Sequence, residues 1–117
     1  MGKTLVILND PPYGTERSYN GLRLAGELAK REGEQVRVFL IGDGVSCANR
    51  GQTVPKGYYN IESMLKAVSL HNGEIGVCGS CMDARGILED HLAADCRRST
   101  IDVMTDWTLW ADRVAVF

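Results

Sequence analysis

Apolar positions along the chain change their spacing several times, and each change marks an element. Residues 3–8 carry the near-continuous run Leu5-Val6-Ile7-Leu8, closed by Asn9-Asp10-Pro11-Pro12. An unbroken apolar run with β-branched residues suits a strand covered on both faces. Leu22, Ala25, Leu28 and Ala29 then recur at helical spacing, with Thr15 placed to cap that helix and Gly33 to end it. Residues 35–41 form a second strand, stopped by Gly42-Asp43-Gly44. The connection that follows, 42–59, is long for a small domain, and such connections are usually functional or mobile. Asn60 is a good N-cap for a helix whose buried stripe is Ile61, Met64, Leu65 and Val68, with Gly73 closing it. Residues 74–78 are a third strand, followed by a Gly79-Ser80-Cys81 turn and a helical stretch over 87–92. A short fourth strand is expected at 93–96. Ser99 or Thr100 then caps a last helix with Val103, Met104, Trp107, Trp110 and Ala111 facing inward, and 113–117 is the final strand.

Strands alternating with helices imply right-handed βαβ crossovers. The expected fold is therefore α/β: one three-layer domain over residues 1–117, a mostly parallel five-stranded sheet with helices on both faces. In such sheets the binding crevice lies beyond the carboxyl ends of the strands. Asn9 to Thr15, the Cys47 loop, and Cys78 to Arg85 are expected to gather along that edge.

Composition narrows the function. With 13 Lys and Arg against 15 Asp and Glu, the net charge is −2. A nucleic-acid-binding domain of this size usually carries a basic stripe, and none is present. A 44% hydrophobic fraction fills a core without disulfides, and 4 cysteines fall short of a secreted disulfide scaffold. The early apolar run is too short for a signal-peptide core or a membrane span. The expected setting is the cytoplasm, away from membranes, where thiols stay reduced and their placement reflects chemistry.

Cys78-Gly79-Ser80-Cys81 is the sharpest chemical signal. A C-x-x-C beside βαβ patterning points to redox or sulfur chemistry. A thiol just before a helix start faces free N–H groups that favour the thiolate, which is the nucleophile. Arg85 is close enough in sequence to add a fixed positive charge. Cys47 sits in the long loop, either as a further sulfur stop or as a small buried residue. Cys96 reads as packing. A structural zinc site would need two more ligands from Cys47, Cys96, His71 or His91, which form no second spaced pair. Two unreactive, half-buried thiols are the plainest alternative. The turn after strand one, including Asn9, Asp10 and Tyr13, has two prolines and a negative charge where a phosphate cradle needs free N–H groups. No FMN, dinucleotide or other cofactor and no metal is expected. Asn9, Asp10, Tyr13, Gly79 and Ser80 are instead expected to wall a thiol site. His71 and His91 read as solvated or capping residues.

Several segments together resemble the DsrE/DsrF family of sulfur-relay proteins, including its TusD type. They are Asn9-Asp10-Pro11-Pro12-Tyr13-Gly14-Thr15-Glu16-Arg17, Cys47-Ala48 with Gly51-Gln52 and Gly57-Tyr58-Tyr59-Asn60, and Cys78 through Cys81 to Asp83-Ala84-Arg85-Gly86. Arg97-Arg98-Ser99-Thr100 and Trp107-Thr108-Leu109-Trp110-Ala111-Asp112 complete the set. The resemblance implies a flavodoxin-like strand order 2-1-3-4-5 and assembly into homotrimers or homohexamers. It also implies a cysteine after the third strand that accepts sulfur as a persulfide and passes it between donor and acceptor proteins. Counting back from Arg85-Gly86 places that cysteine at Cys78. The added Cys81 resembles a stand-alone subgroup and could attack a persulfide on Cys78 to release sulfide. The sequence thus leads to a sulfur-relay protein using Cys78, Cys81, Cys47 and Arg85, acting as a sulfurtransferase or as a carrier only. A Cys78–Cys81 dithiol redox protein and a non-enzymatic oligomeric binding module stand as alternatives.

Overall fold

Residues 2–117 are described by a computed structural model. In chain order they form β1 (Lys3–Leu8), α1 (Arg17–Ala29), β2 (Gln35–Leu40), a 3-10 segment (Gly42–Ala48), α2 (Ile61–Leu70) and β3 (Glu74–Cys78). Then come α3 (Gly79–Ala84), a 3-10 turn (Glu89–His91), β4 (Cys96–Ser99), α4 (Ile101–Trp110) and β5 (Arg113–Val116). All strand pairings are parallel, in register Val6 with Val38, Val38 with Ile75, Cys78 with Ser99 and Ile7 with Val116.

The sheet order is β4-β3-β2-β1-β5, not the expected 2-1-3-4-5. Three successive crossovers step the same way, from β1 to β4, and the reversal comes only at the return to β5. Right-handed connections that step one way lie on one face, and the return lays α4 on the other. The expected helices on both faces are present. One consequence bears on function: β2 lies between β1 and β3, so the loop after β2 meets both of the others.

The buried positions explain why these elements form. Leu5, Val6, Ile7 and Leu8 are all buried, as a central strand covered on both faces requires. Leu22 and Ala25 of α1 and Ile61, Leu65 and Val68 of α2 join the same core, and the two helices pack side by side. Asn60 caps α2 by accepting from the Ser63 N–H at 3.0 Å, and Thr100 caps α4 by accepting from the Val103 N–H at 3.3 Å. On the other face, Trp107 meets Phe39 edge-on, with ring centroids 5.9 Å apart. Gly76 makes room for that pair, since a Cβ there would lie 3.0 Å from the Phe39 ring and 3.2 Å from Trp107. Of the five residues expected to face inward, Met104, Trp107 and Ala111 pack against the core, while Val103 is half-buried and Trp110 stacks on Arg37.

Several boundaries differ from expectation. Thr15 does not cap α1: Glu16 occupies that position without a side-chain bond, and the Thr15 hydroxyl donates to Asp10 instead. Residue 79 already belongs to α3, so the expected Gly-Ser-Cys turn is the helix's first turn. Helical structure within 87–92 shrinks to the 3-10 turn. The fourth strand begins at Cys96 because Asp95 takes a left-handed conformation, φ 68°, immediately before it. Asn72, φ 67°, ends α2 in place of Gly73, whose Cβ would press on Val68.

Candidate functional site around Cys78

β3 delivers Cys78, largely buried, to the carboxyl edge of the sheet, and α3 starts at the next residue. The Cys78 Sγ lies 3.4 Å from the Ser80 Oγ. The Ser80 and Cys81 amides face the sulfur without closing a formal cap. Burial pushes the Cys78 thiol up. The Cys81 and Ser80 side chains and those two amides favour the anion more strongly, and the balance lies below the ordinary thiol value. Cys81 moves the other way. Burial, donation of its proton toward Cys78, and the Cys78 charge hold its thiol up, against the Gly42 amide and the Arg85 charge. The pair therefore gives up a proton more readily at Cys78 than at Cys81.

The 3-10 segment after β2 closes over this pair. Gly42 donates its N–H to the Cys81 Sγ at 3.2 Å. Arg85 donates twice to the Asp43 carboxylate, at 3.0 and 2.8 Å, and to the Cys81 carbonyl at 3.0 Å. Arg85 thus fastens the segment to α3, beside Cys81. The strand order accounts for this, because β2 is the direct neighbour of β3.

The expected wall residues divide. Gly79 and Ser80 lie at the thiol. Asn9 turns instead to the Phe117 carbonyl, through its backbone N–H at 2.9 Å and its side chain at 3.2 Å. The Asp10 carboxylate accepts from Thr15, and its carbonyl accepts from Ser18. Tyr13 donates to Gln52 at 2.7 Å and accepts from the Ile61 N–H at 3.1 Å, tying the first loop to α2. His91 accepts from the Leu88 N–H, and His71 bonds to the Ala67 carbonyl, as capping residues do.

Cys47 is fully buried beneath the first loop, with its Sγ 3.5 Å from the Asp10 carbonyl. Its thiol is pushed up to about 11 by burial, and that of Cys96 to about 12 by burial and nearby acidic charge. Cys96 also feels Cys47, after burial and the Asp95 and Glu62 charges. Folding raises both values above the ordinary 9.0, so both thiols contribute stability fully below pH 9. That stability is lost as pH rises toward about 11 and about 12. Two results are expected. The urea midpoint falls above pH 9, less steeply in Cys96→Ala. Native iodoacetamide labelling at pH 8 marks Cys78 long before Cys47 or Cys96, read by peptide mapping; equal labelling would contradict this.

Two site residues escape sequence reasoning. Asp43 belongs to what reads as a strand-ending Gly-Asp-Gly. Arg98 lies beyond the expected fourth strand; in the structure it is on β4, opposite Val77 and one position from the residue paired with Cys78. A correct β4 boundary would have placed it at this edge. Among the described residues no three His, Cys, Asp or Glu side chains gather as a metal site would require.

Comparison with known proteins agrees with this architecture. Residues 2–117 match the model of the DsrE/DsrF-like family. The chain is 37% identical to Protein YchN of Escherichia coli K12 over the full length of both chains. It superposes on the crystal structure of that E. coli protein with a TM-score of 0.93, again covering both completely. Sulfurtransferase TusD of Buchnera aphidicola is 29% identical over 73% of this chain and 67% of its own length.

Proposed function

Because the chain belongs to the DsrE/DsrF-like family, we propose that it is a sulfur-relay protein that carries sulfur as a persulfide on Cys78. The observation that carries this reading is the Cys78 thiol itself, at the end of β3, lowered by donors that outweigh its burial. The Buchnera relative's designation as a sulfurtransferase supports the same chemistry.

The Cys78 thiolate attacks the outer sulfur of a donor persulfide. A new S–S bond forms at Cys78, the donor's S–S bond breaks, and the donor leaves as a thiolate. An acceptor thiolate then attacks the outer sulfur on Cys78 and restores the Cys78 thiolate. No external oxidant or reductant is consumed. Ser80 and the α3 amides stabilise the anion at the start and end of the cycle, and the raised Cys81 thiol makes it the weaker competitor. Donor and acceptor are proteins, and the relay runs in the cytoplasm, where thiols stay reduced. No helix among the described residues is long and apolar enough to cross a membrane. Assembly as a homotrimer or homohexamer would cover the exposed Ile101, Leu109 and Val116.

Incubation of the wild-type protein with a persulfide donor is expected to raise its intact mass by about 32 Da, one sulfur atom. Adding a thiol acceptor should return it. A mass that never rises would overturn the reading.

The proton shared between Cys78 and Cys81 favours a second reading, a dithiol that closes to a disulfide. In that case Cys81 attacks the inner sulfur of a Cys78 persulfide, a Cys78–Cys81 bond forms, and hydrogen sulfide leaves. Cys81→Ser separates the two: a relay still loads and discharges, whereas the redox cycle stops.

A further inference from the structure

Arg98 belongs to the strand beside Cys78, and its guanidinium crosses to α3. Two donors meet the two Asp83 oxygens at 2.9 Å each, the planar fork that fixes an arginine head in one orientation. That orientation lays the guanidinium directly over Gly79, the residue after Cys78. A Cβ on Gly79 would lie 2.8 Å from the Arg98 Cζ and Nε and 2.9 Å from an Nη. Gly79 does not adopt a left-handed conformation, so its backbone does not require glycine. Glycine is also a poor helix former. What its missing side chain provides is the space the guanidinium fills.

The Arg98–Asp83 pair is exposed, and exposed ion pairs add little to stability. Its consequence is orientation. Arg85 is likewise paired, to Asp43 and the Cys81 carbonyl, and its charge acts on Cys81. We propose that Arg98, clamped by Asp83 across Gly79, is the positioning residue that holds negative charge on the Cys78 sulfur, the part that sequence spacing would give to Arg85. The inference deepens the relay reading and rests on Cys78 being the sulfur-carrying thiol. The Cys78 charge in turn favours the charged form of Arg98, after the larger effects of Asp83 and Glu89. The charged and titratable groups around the thiol are Cys81, Asp83 and Arg85 on α3, Asp43 on the 3-10 segment, Arg98 on β4, and Glu89 toward Arg98.

The test is the pH profile of Cys78 alkylation by iodoacetamide in the full chain, resolved by peptide. Arg98→Met is expected to move the midpoint upward by roughly one unit, lowering the rate at pH 7 about tenfold, with the high-pH plateau retained. Arg98→Lys should keep most of the wild-type profile, and Arg85→Met should shift it less than Arg98→Met does. A superimposable Arg98→Met profile, or a larger shift from Arg85→Met, would overturn the proposal. Gly79→Ala provides a second reading that keeps the charge but displaces the guanidinium; its rate at pH 7 should fall several-fold, and no change there also overturns the proposal. The profile is measured without a sulfur donor. Failure of sulfur loading and failure of the Arg98 assignment are therefore separate results.

Discussion

A Cys78→Ser variant is expected to gain no sulfur from a persulfide donor, a loss of at least about a thousandfold in loading rate. Serine is the fair substitution, because it keeps nearly the same volume at a buried position paired with Ser99 of β4. What it removes is acidity and nucleophilicity, since the reacting species is a thiolate. The environment cannot compensate: the donors around position 78 lower a thiol from near 9 but cannot bring a hydroxyl into the physiological range. Cys81→Ser is the matched control. Cys81 holds its proton more tightly than Cys78 does, so its loss should leave loading within a few-fold of wild type and lengthen the life of the Cys78 persulfide. Loading by Cys78→Ser at the wild-type rate would move the reactive thiol elsewhere.

The second large effect is structural. Gly44→Ala is expected to destabilise the fold by about 3 kcal/mol or more, the upper end of the range for overpacking. A Cβ at this buried position would fall 2.2 Å from the Leu8 carbonyl oxygen and 2.8 Å from its carbon. That carbonyl cannot retreat, because it accepts the Ile41 N–H at 3.0 Å in the sheet. The 3-10 segment must lift instead, taking with it the Gly42 and Asp43 contacts to α3. Thermal unfolding should drop by roughly 10 °C, and Cys81 should lose its amide donor. Gly26→Ala provides the contrast: its Cβ meets nothing within 4 Å in the middle of α1. There alanine should stabilise the helix by up to about 1 kcal/mol. Equal melting temperatures for Gly44→Ala and wild type would contradict the packing account.

What could be read in the sequence follows from burial. β1 and β3 have the expected limits because their apolar runs answer to two covered faces. α2 has its expected start because Asn60 acts locally, through one hydrogen bond. β4 is displaced because an edge strand with one buried residue, Cys96, carries no pattern to read. Strand order depends on the direction in which crossovers step, which no local signal encodes. Cys78 and Cys81 are legible as a pair because they are neighbours in sequence. Arg98 is not, because its relation to Gly79 exists only once β4 has paired with β3. Arg85 was legible as a charge near the thiols, but the partner that fixes it, Asp43, comes from a different loop. Cys47 leaves two readings open in the sequence, a further sulfur stop or a small buried residue, because burial under the first loop is set by long-range packing that its own loop does not encode.

The central claim is that one thiol of four carries the sulfur. The most direct measurement treats wild-type protein with a persulfide donor at neutral pH, traps it under native conditions, and locates the added 32 Da (about one sulfur) by tandem mass spectrometry. The account predicts the label on the peptide containing Cys78, with Cys47 and Cys96 unlabelled. A label on Cys47 or Cys96, or on Cys81 with Cys78 bare, would contradict it.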